Sequence, residues 1–406
     1  MSTDFILTLD RLQAAVAGAA AIRLRQALEP AGGPGSKVFP PTHEGGQYAW
    51  ETRRVDGQDV RCVLLDSVQS QANRCELALL DALRDGRLRL PLIEARFAEF
   101  SDLRSVSTLE APHRIADAIF RDSTLDGVPF RDSVIGKAFI ESTIRDANGL
   151  FRWCPTALVF GMWDSTGSVG GLGTKFARAL SAEIIGYGAQ AGVHTSSRID
   201  PLGIKNIEIY VTPDEDWTTD AGAAKQGKSG PEKTKPSALN HSNIPPTLDL
   251  AEENLATVKK GEPIRGGVTL DRAELCAVLS LPGLRKLRFP QADGTPDAAR
   301  NHAARTVLAA LALAALALQR EQGGLDLRSR CLLIPAGLAA YELIAADGSV
   351  TPFTLDAEAA CALFEAARLA AEAAGLEWPS QPVVLEPQPK LIELVRRSRA
   401  ATGVED

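Results

Sequence analysis

Apolar residues along the chain follow two spacings, one typical of strands and the other typical of amphipathic helices. Strands are predicted at 20–28, 60–65, 92–97, 156–162, 207–211, 331–334, 341–345, 351–354 and 383–385. Helices are predicted at 9–17, 66–83, from Pro112, and at 174–185, 271–279, 296–320, 356–373 and 389–399. Single strands alternate with helices at irregular spacing, which predicts an α+β fold rather than a regular doubly wound sheet.

The helix predicted after strand 60–65 begins with an unusual density of polar side chains. Free amides and the helix dipole make such an end attractive to anions. The alternative is an ordinary capped helix start whose polar side chains are solvated. The candidate contacts at this helix start are Ser67, Gln69, Ser70, Asn73 and Arg74.

A glycine-rich segment at 167–175 lies between a predicted strand and a predicted helix, where a phosphate-binding loop belongs. Neither the Walker spacing nor the dinucleotide-binding spacing is present. Ser168, Lys175 and Arg178 can grip a phosphodiester, whereas the alternative is a tight turn that needs glycine conformations.

Three further polar segments are candidates for binding. The irregular loop 37–48 carries two aromatic residues, a lysine and a histidine, and 194–198 is a polar stretch before a strand. His113 and Asp117 fall on one helical face, but two ligands do not make a metal site. No cofactor motif is present, so we expect neither cofactor nor metal. The candidates here are Lys37, His43, Tyr48, His113, Arg114 and Arg198.

Composition limits these possibilities. The 406 residues are 45% hydrophobic, which excludes global disorder. The net charge is −7, so the chain lacks the basic surface that is typical of a lone nucleic-acid binder. A nucleic-acid site must therefore be a local groove. No signal peptide is evident, and six scattered cysteines without metal spacing indicate a cytoplasmic protein.

The longest apolar run, 307–318, predicts a core helix rather than a membrane span. The segment 214–260 has the composition of a flexible insertion or linker. The basic runs 285–288 and 396–399 are short enough to be solvated, although both can touch nucleic acid.

Several motifs together resemble one protein family. They are KVFPPT at 37–42, GGQY at 45–48, LDSVQSQANR at 65–74, APHR at 111–114, DA at 117–118 and RDS at 121–123. In this order they resemble the backbone subunit of subtype I-U (I-G) CRISPR Cascade, a RAMP-superfamily protein of the Cas-seven type.

The resemblance implies a ferredoxin-like, RRM-like palm with finger and thumb insertions and a helical C-terminal portion. The palm would begin in 1–213, and 261–400 would complete it or pack on it. It also implies a non-catalytic protein that binds CRISPR RNA and lines up head to tail with other copies. Target DNA would be reached through the guide, and the other partners would be a large Cascade subunit and a fused Cas-five/Cas-six-type subunit, with no membrane involved.

Two other functions remain open at this point. A RAMP-type endoribonuclease would use His43 or His113 as acid or base, or Asp66 in a metal-dependent cut. A protein for a phosphate-bearing ligand would use the glycine-rich segment.

Overall fold

The computed structural model describes residues 5–100, 103, 105–166, 174–205, 207–227, 230–249, 266–321 and 325–402. It is 35% helical and 29% strand, so the predicted α+β class is confirmed. The helices are α1 Leu9–Gly18, α2 Val68–Arg84, α3 Ala118–Arg121, α4 Val134–Ile140, α5 Asn148–Trp153, α6 Thr156–Phe160, α7 Leu281–Arg285, α8 Ala298–Glu321, α9 Ala357–Ala373 and α10 Pro389–Thr402.

Four of the strands in the described residues are eight to ten residues long, and the others are shorter. The strands are β1 Ala21–Pro30, β2 Trp50–Val55, β3 Gln58–Asp66, β4 Ile93–Arg96, β5 Ser105–Ser107, β6 Ser123–Leu125, β7 Val128–Pro129, β8 Met162–Trp163, β9 Lys175–Phe176, β10 Leu180–Tyr187, β11 Gln190–Ala191, β12 His194–Arg198, β13 Ile209–Val211, β14 Trp217–Thr218, β15 Gln226–Gly227, β16 Gly230–Pro231, β17 Lys233–Thr234, β18 Ile244–Asp249, β19 Val268–Thr269, β20 Arg272–Ser280, β21 Leu325–Asp326, β22 Leu332–Pro335, β23 Ala340–Ile344, β24 Val350–Phe353 and β25 Val383–Pro387.

The chain forms two compact units, and each is discontinuous in sequence. The first contains 1–33, 64–186 and 272–406, and the second contains 34–63 and 187–271.

In the first unit, β1 lies at the centre of a sheet with the order β10–β20–β1, and both β22 and β23 pair with the other edge of β1. Strand β1 runs antiparallel to β20, with Ala21 opposite Ser280 and Leu28 opposite Ala273. Every second residue of β20 is buried, so one face of that strand packs on the core. A separate sheet has the order β5–β4–β25–β6–β7.

Helix α8 is the core of the first unit and contacts α1, α2 and α9. Every residue from Thr306 to Leu318 is at most 3% exposed. By length and composition α8 could cross a membrane, but 89% of its most apolar stretch is buried in the protein. The apolar run 307–318 is therefore a core helix, as predicted.

The second unit consists of short antiparallel pairs. The β2–β3 hairpin turns at Asp56 and Gly57, whose φ angles are both positive, as a tight two-residue turn requires. Strand β12 pairs with β18, and β13 pairs with β14 and β17. The described part of the segment 214–260 thus contains strands.

Most long elements were predicted correctly, but three were assigned the wrong type. Residues 156–160 form helix α6 rather than a strand, because a short run buried on all sides has no period that separates the two. Residues 175–187 form β9 and β10 rather than a helix, and 272–280 form β20 rather than a helix. In both, apolar residues at every second position outweigh the helix-favouring Ala, Leu and Glu.

The helix predicted from Pro112 is also wrong. Residues 111–117 form a turn with a short 3-10 helix, Arg114–Ala116, and the helix α3 starts only at Ala118. Arg114 has a φ of +53°, which interrupts a regular helix at that point.

Candidate nucleic-acid interface

The start of α2 is capped by a side chain that was predicted to bind a ligand. The Ser67 hydroxyl accepts a hydrogen bond from the Ser70 amide at 3.2 Å. This is the N-cap arrangement that polar residues favour before a helix. Ser67 therefore stabilises the helix, and its half-buried neighbour Ser70 gives its amide to that cap.

Arg74, which was predicted to contact a ligand, is held by the protein itself. Its Nε donates to the fully buried carboxylate of Asp66 at 3.0 Å, and its Nη2 donates to the Leu327 carbonyl at 2.9 Å. Gln71 donates to the same Asp66 oxygen at 2.7 Å. Arg74 therefore has a structural role, and Asp66 is not accessible for the metal-dependent cut considered above.

The exposed side of the α2 start carries uncharged amides. Gln69 and Asn73 lie one turn apart and are both exposed. Neither side chain makes a hydrogen bond to another residue in the part of the chain that the structure describes. They are the members of the predicted set that are available to a ligand.

Arg114, another predicted ligand contact, is buried in an ion pair within the protein. Its Nε and Nη2 bind the two carboxylate oxygens of Glu76 on α2 at 2.6 and 2.7 Å, and Nη1 donates to the Gly161 carbonyl at 3.0 Å. Arg114 is 5% exposed and Glu76 is 1% exposed. Burial raises the pKa of Glu76 to about 7, while the Arg114 guanidinium opposes this rise.

This ion pair connects α2 to the segment that leads into the β8–β9 hairpin. Gly161 has a φ of +82°, and a Cβ there would lie 2.7 Å from Arg178 Cγ. Arg178 donates from Nε to the Phe160 carbonyl at 3.0 Å, and burial followed by the nearby Arg114 charge lowers its pKa. Its Nη groups bond to no residue that the structure describes.

The β8–β9 hairpin carries an exposed aromatic residue beside a cation. Trp163 is 62% exposed, and Lys175 Nζ lies 5.8 Å from the centre of its ring. At the base, Arg131 binds both carboxylate oxygens of Asp164 at 2.9 and 3.0 Å. The predicted contact Ser168 lies outside the described residues.

Trp163 was missed in the sequence prediction. Its signal was an aromatic residue placed just before a glycine-rich segment that ends in lysine. An exposed ring of this kind can stack on a base, and a neighbouring ammonium can neutralise a phosphate.

His113 is exposed beside the buried pair, in the turn before Arg114. The Asp117 carboxylate accepts from the backbone amides of His113 and Ile119, at 3.2 and 3.1 Å. Asp117 therefore serves the backbone of its own turn, and the predicted shared helical face for His113 and Asp117 does not form.

The other predicted contacts lie in the second unit. Lys37 is exposed and donates from Nζ to the Val193 carbonyl at 2.9 Å, and His43 is exposed. Tyr48 is 5% exposed and its hydroxyl accepts from the Gly267 amide, so its ring is packed inside the protein. Arg198 is half-buried, and its Nη1 has no hydrogen-bond partner among the described residues.

Within the described ranges, no three His, Cys, Asp or Glu side chains are grouped so that they could hold a metal ion. The cysteines are free, and all are buried except Cys276, which is half-buried. The polar groups above suit hydrogen bonding and charge neutralisation along a phosphodiester backbone.

Comparison with known proteins finds a family that part of this chain resembles. Residues 22–191 match the model of the family described as CRISPR-associated protein GSU0053. This range of the α+β chain is therefore similar to a CRISPR-associated family. The match confirms the resemblance to a CRISPR-associated family predicted from the motifs.

A solved structure titled "Crystal structure of Thermofilum pendens Csc2" is 11% identical over 96% of this chain and 79% of that chain. The TM-score of this superposition is 0.29. A search of curated proteins finds no match.

Proposed function

We propose that this protein is a non-catalytic, RNA-binding backbone subunit of a subtype I-U (I-G) CRISPR effector complex in the cytoplasm. The observation that carries the proposal is the family match over 22–191, because this range contains α2, the turn at 111–117 and the β8–β9 hairpin. Copies would line up head to tail along one CRISPR RNA, together with a large subunit and a fused Cas-five/Cas-six-type subunit.

The strand order supports an RRM-like palm. Four strands of the sheet have the order β10–β20–β1–β23. In sequence, α2 lies between β1 and β10, and α8 lies between β20 and β23. This arrangement follows a split βαβ pattern. The segments 34–63 and 187–271 interrupt this pattern at two points and would be finger insertions. The β8–β9 hairpin would be the thumb.

The exposed groups fit a protein that holds the guide without reading its bases. Gln69 and Asn73 would donate to phosphate or ribose oxygens, and Lys175 and Arg178 would neutralise phosphates. Trp163 would stack on a base at the end of each bound segment. Target DNA would then be recognised by pairing with the guide rather than by protein side chains.

The first experiment measures the mass and the bound nucleic acid of the protein co-expressed with its guide RNA. We expect several protein copies per RNA, and the Gln69→Ala, Asn73→Ala double variant should bind guide roughly tenfold more weakly or worse, since each hydrogen bond to a charged group contributes about 1.5–3 kcal/mol. The control is Leu77→Ala with Asp81→Ala, at exposed positions further along α2. A nucleic-acid-free monomer would contradict the proposal.

The absence of catalysis is tested on the assembled particle. Guide and target RNA are incubated with it, with and without divalent metal ions, and no cleavage is expected. Reproducible cleavage that is lost in His43→Ala or His113→Ala would instead support the endoribonuclease function.

A further inference from the structure

Four cations lie together at the end of α7 and the start of α8 in the first unit. Arg285 is the last residue of α7, Lys286 and Arg288 follow it and are exposed, and Arg305 lies in the second turn of α8. We call these four residues the α7–α8 basic cluster. None of them belongs to the surface proposed to hold the guide.

The arginines of this cluster are positioned by carbonyl oxygens. Arg285 Nη1 donates to the Val16 and Ala19 carbonyls at the end of α1, at 3.0 and 2.9 Å. Arg305 donates from Nε and Nη2 to the Leu287 carbonyl at 3.1 and 2.6 Å, and Arg288 Nη1 donates to the same carbonyl at 3.1 Å. These bonds fix the guanidinium groups, but a carbonyl does not neutralise their charge.

Across the described residues, no carboxylate forms an ion pair with any member of the cluster. The other basic run, on α10, differs in this respect. Arg396 binds Glu99 and Glu393, and Arg397 binds Glu393 at 2.7 Å. In a chain with a net charge of −7, these four cations are thus held without a neutralising carboxylate.

The positive charges of the cluster repel one another. Burial and the charges of Arg288 and Arg285 lower the pKa of Arg305 to about 10. Arg305 stays protonated at neutral pH, so the repulsion persists until an anion relieves it. An anion at this position would therefore be bound more tightly than at an isolated surface arginine.

We propose that the α7–α8 basic cluster binds the phosphodiester backbone of a single-stranded nucleic acid, as a second contact distinct from the guide surface. Guanidinium groups match the two oxygens of a phosphate, and Lys286 adds a mobile point charge beside them. A chain of phosphates supplies several anions in succession, so one strand can engage more than one member of the cluster. The proposal goes beyond the guide contact and does not depend on it.

The test uses the full chain, purified with and without its guide RNA, and a labelled single-stranded DNA that has no complementarity to that guide. Lys286→Glu with Arg288→Glu should weaken DNA binding about tenfold or more and reduce the slope of log K against log salt by about 1.4, the value for two lost phosphates on a single strand. The control, Lys390→Glu with Arg397→Glu, makes the same change in net charge on α10. It should alter affinity far less than the cluster variant.

Equal weakening in both variants, or no change in either, would overturn the proposal. The cluster variant should retain its guide RNA, whereas loss of guide in the α2 variant reports on the separate proposal above. Polyglutamate of equal charge and inorganic phosphate are added as competitors, and displacement of DNA by polyglutamate at equal efficiency would mean an acidic protein partner instead.

A second measurement avoids substitutions altogether. Phenylglyoxal modifies accessible arginines, and the single-stranded DNA should protect Arg288 but leave Arg397 reactive. Equal reactivity of Arg288 with and without DNA would also overturn the proposal.

Discussion

The buried ion pair between Glu76 and Arg114 shows what single residues do in this fold. Residue type alone indicated that Arg114 and Arg74 could bind phosphate, and both proved to be held by carboxylates of the first unit. The partners lie 38 and 8 positions away in sequence, and no local pattern specifies such pairing. Gln69 and Asn73 could be assigned to the surface from sequence because helical spacing determines which side of α2 they occupy.

Replacing Arg114 with methionine should lower the free energy of unfolding by about 3–5 kcal/mol, because the variant leaves the Glu76 carboxyl group buried without its partner. Urea denaturation of the purified protein measures this change. The double variant Glu76→Leu, Arg114→Met removes both charges and should recover most of the loss. A single variant within about 1 kcal/mol of wild type would show that the pair is not isolated from water.

The raised pKa of Glu76 predicts a pH dependence. The folded pKa is about 7 and the ordinary value is 4.5, so the folded state holds this proton more tightly than the unfolded state. The resulting stabilisation is complete below pH 4.5 and is lost as the pH rises through about 7.

Between about pH 5 and pH 8, the unfolding free energy of wild type should therefore fall relative to that of Glu76→Gln, which cannot titrate. Denaturation midpoints of the two proteins at matched pH values measure the difference. Parallel curves would mean that Glu76 is ionised throughout that range.

At the scale of elements, the long helices were predictable, whereas several shorter elements and the strand β20 were not. Helices α2, α8 and α9 have apolar residues at helical spacing over 17 residues or more. In β20 the alternation of Ala273, Leu275, Ala277 and Leu279 was present, but residues with high helix propensity hid it. The strand conformation of this segment is determined by its pairing with strands that are distant in sequence.

Substitutions at Ser67, the N-cap of α2, distinguish a role in helix stability from a role in RNA binding. Ser67→Ala should cost about 1 kcal/mol of unfolding free energy, and Ser67→Asp should restore it because aspartate also caps helices. If Ser67 only caps the helix, guide binding by Ser67→Asp should match wild type after correction for folding. A selective loss of RNA binding in Ser67→Asp, measured by filter binding, would instead place the hydroxyl against a phosphate.

At the scale of the whole molecule, many positive charges are neutralised by ion pairs with carboxylates. Many of the arginines that the structure describes form ion pairs with carboxylates, and the guide surface relies on amides, one lysine and one arginine. Net charge predicted that any nucleic-acid site must be local, and the α7–α8 basic cluster and the hairpin lysine are both local features. Sequence alone could not show which basic run lacks acidic neighbours, since these come from distant segments.

Guide binding should therefore depend only weakly on salt for each protein copy. With Lys175 and Arg178 as the cations, the slope of log K against log salt should be about −1.4 per copy, since each phosphate on a single strand contributes about −0.7. Fluorescence titrations at several salt concentrations measure it. A slope several times steeper would mean that the main guide contact is a basic surface elsewhere.

The position of β1 between β20 and β23 also has a consequence for synthesis on the ribosome. Arg23 pairs with Val278 on one side and Glu342 on the other, so both neighbours of β1 are made about 250 residues or more after it. At about 5–20 residues per second, the strand edges wait roughly 10–50 s for their first partner. The range 22–191, which carries the family match, ends before either partner begins, so that fragment expressed alone should be captured by chaperones rather than fold.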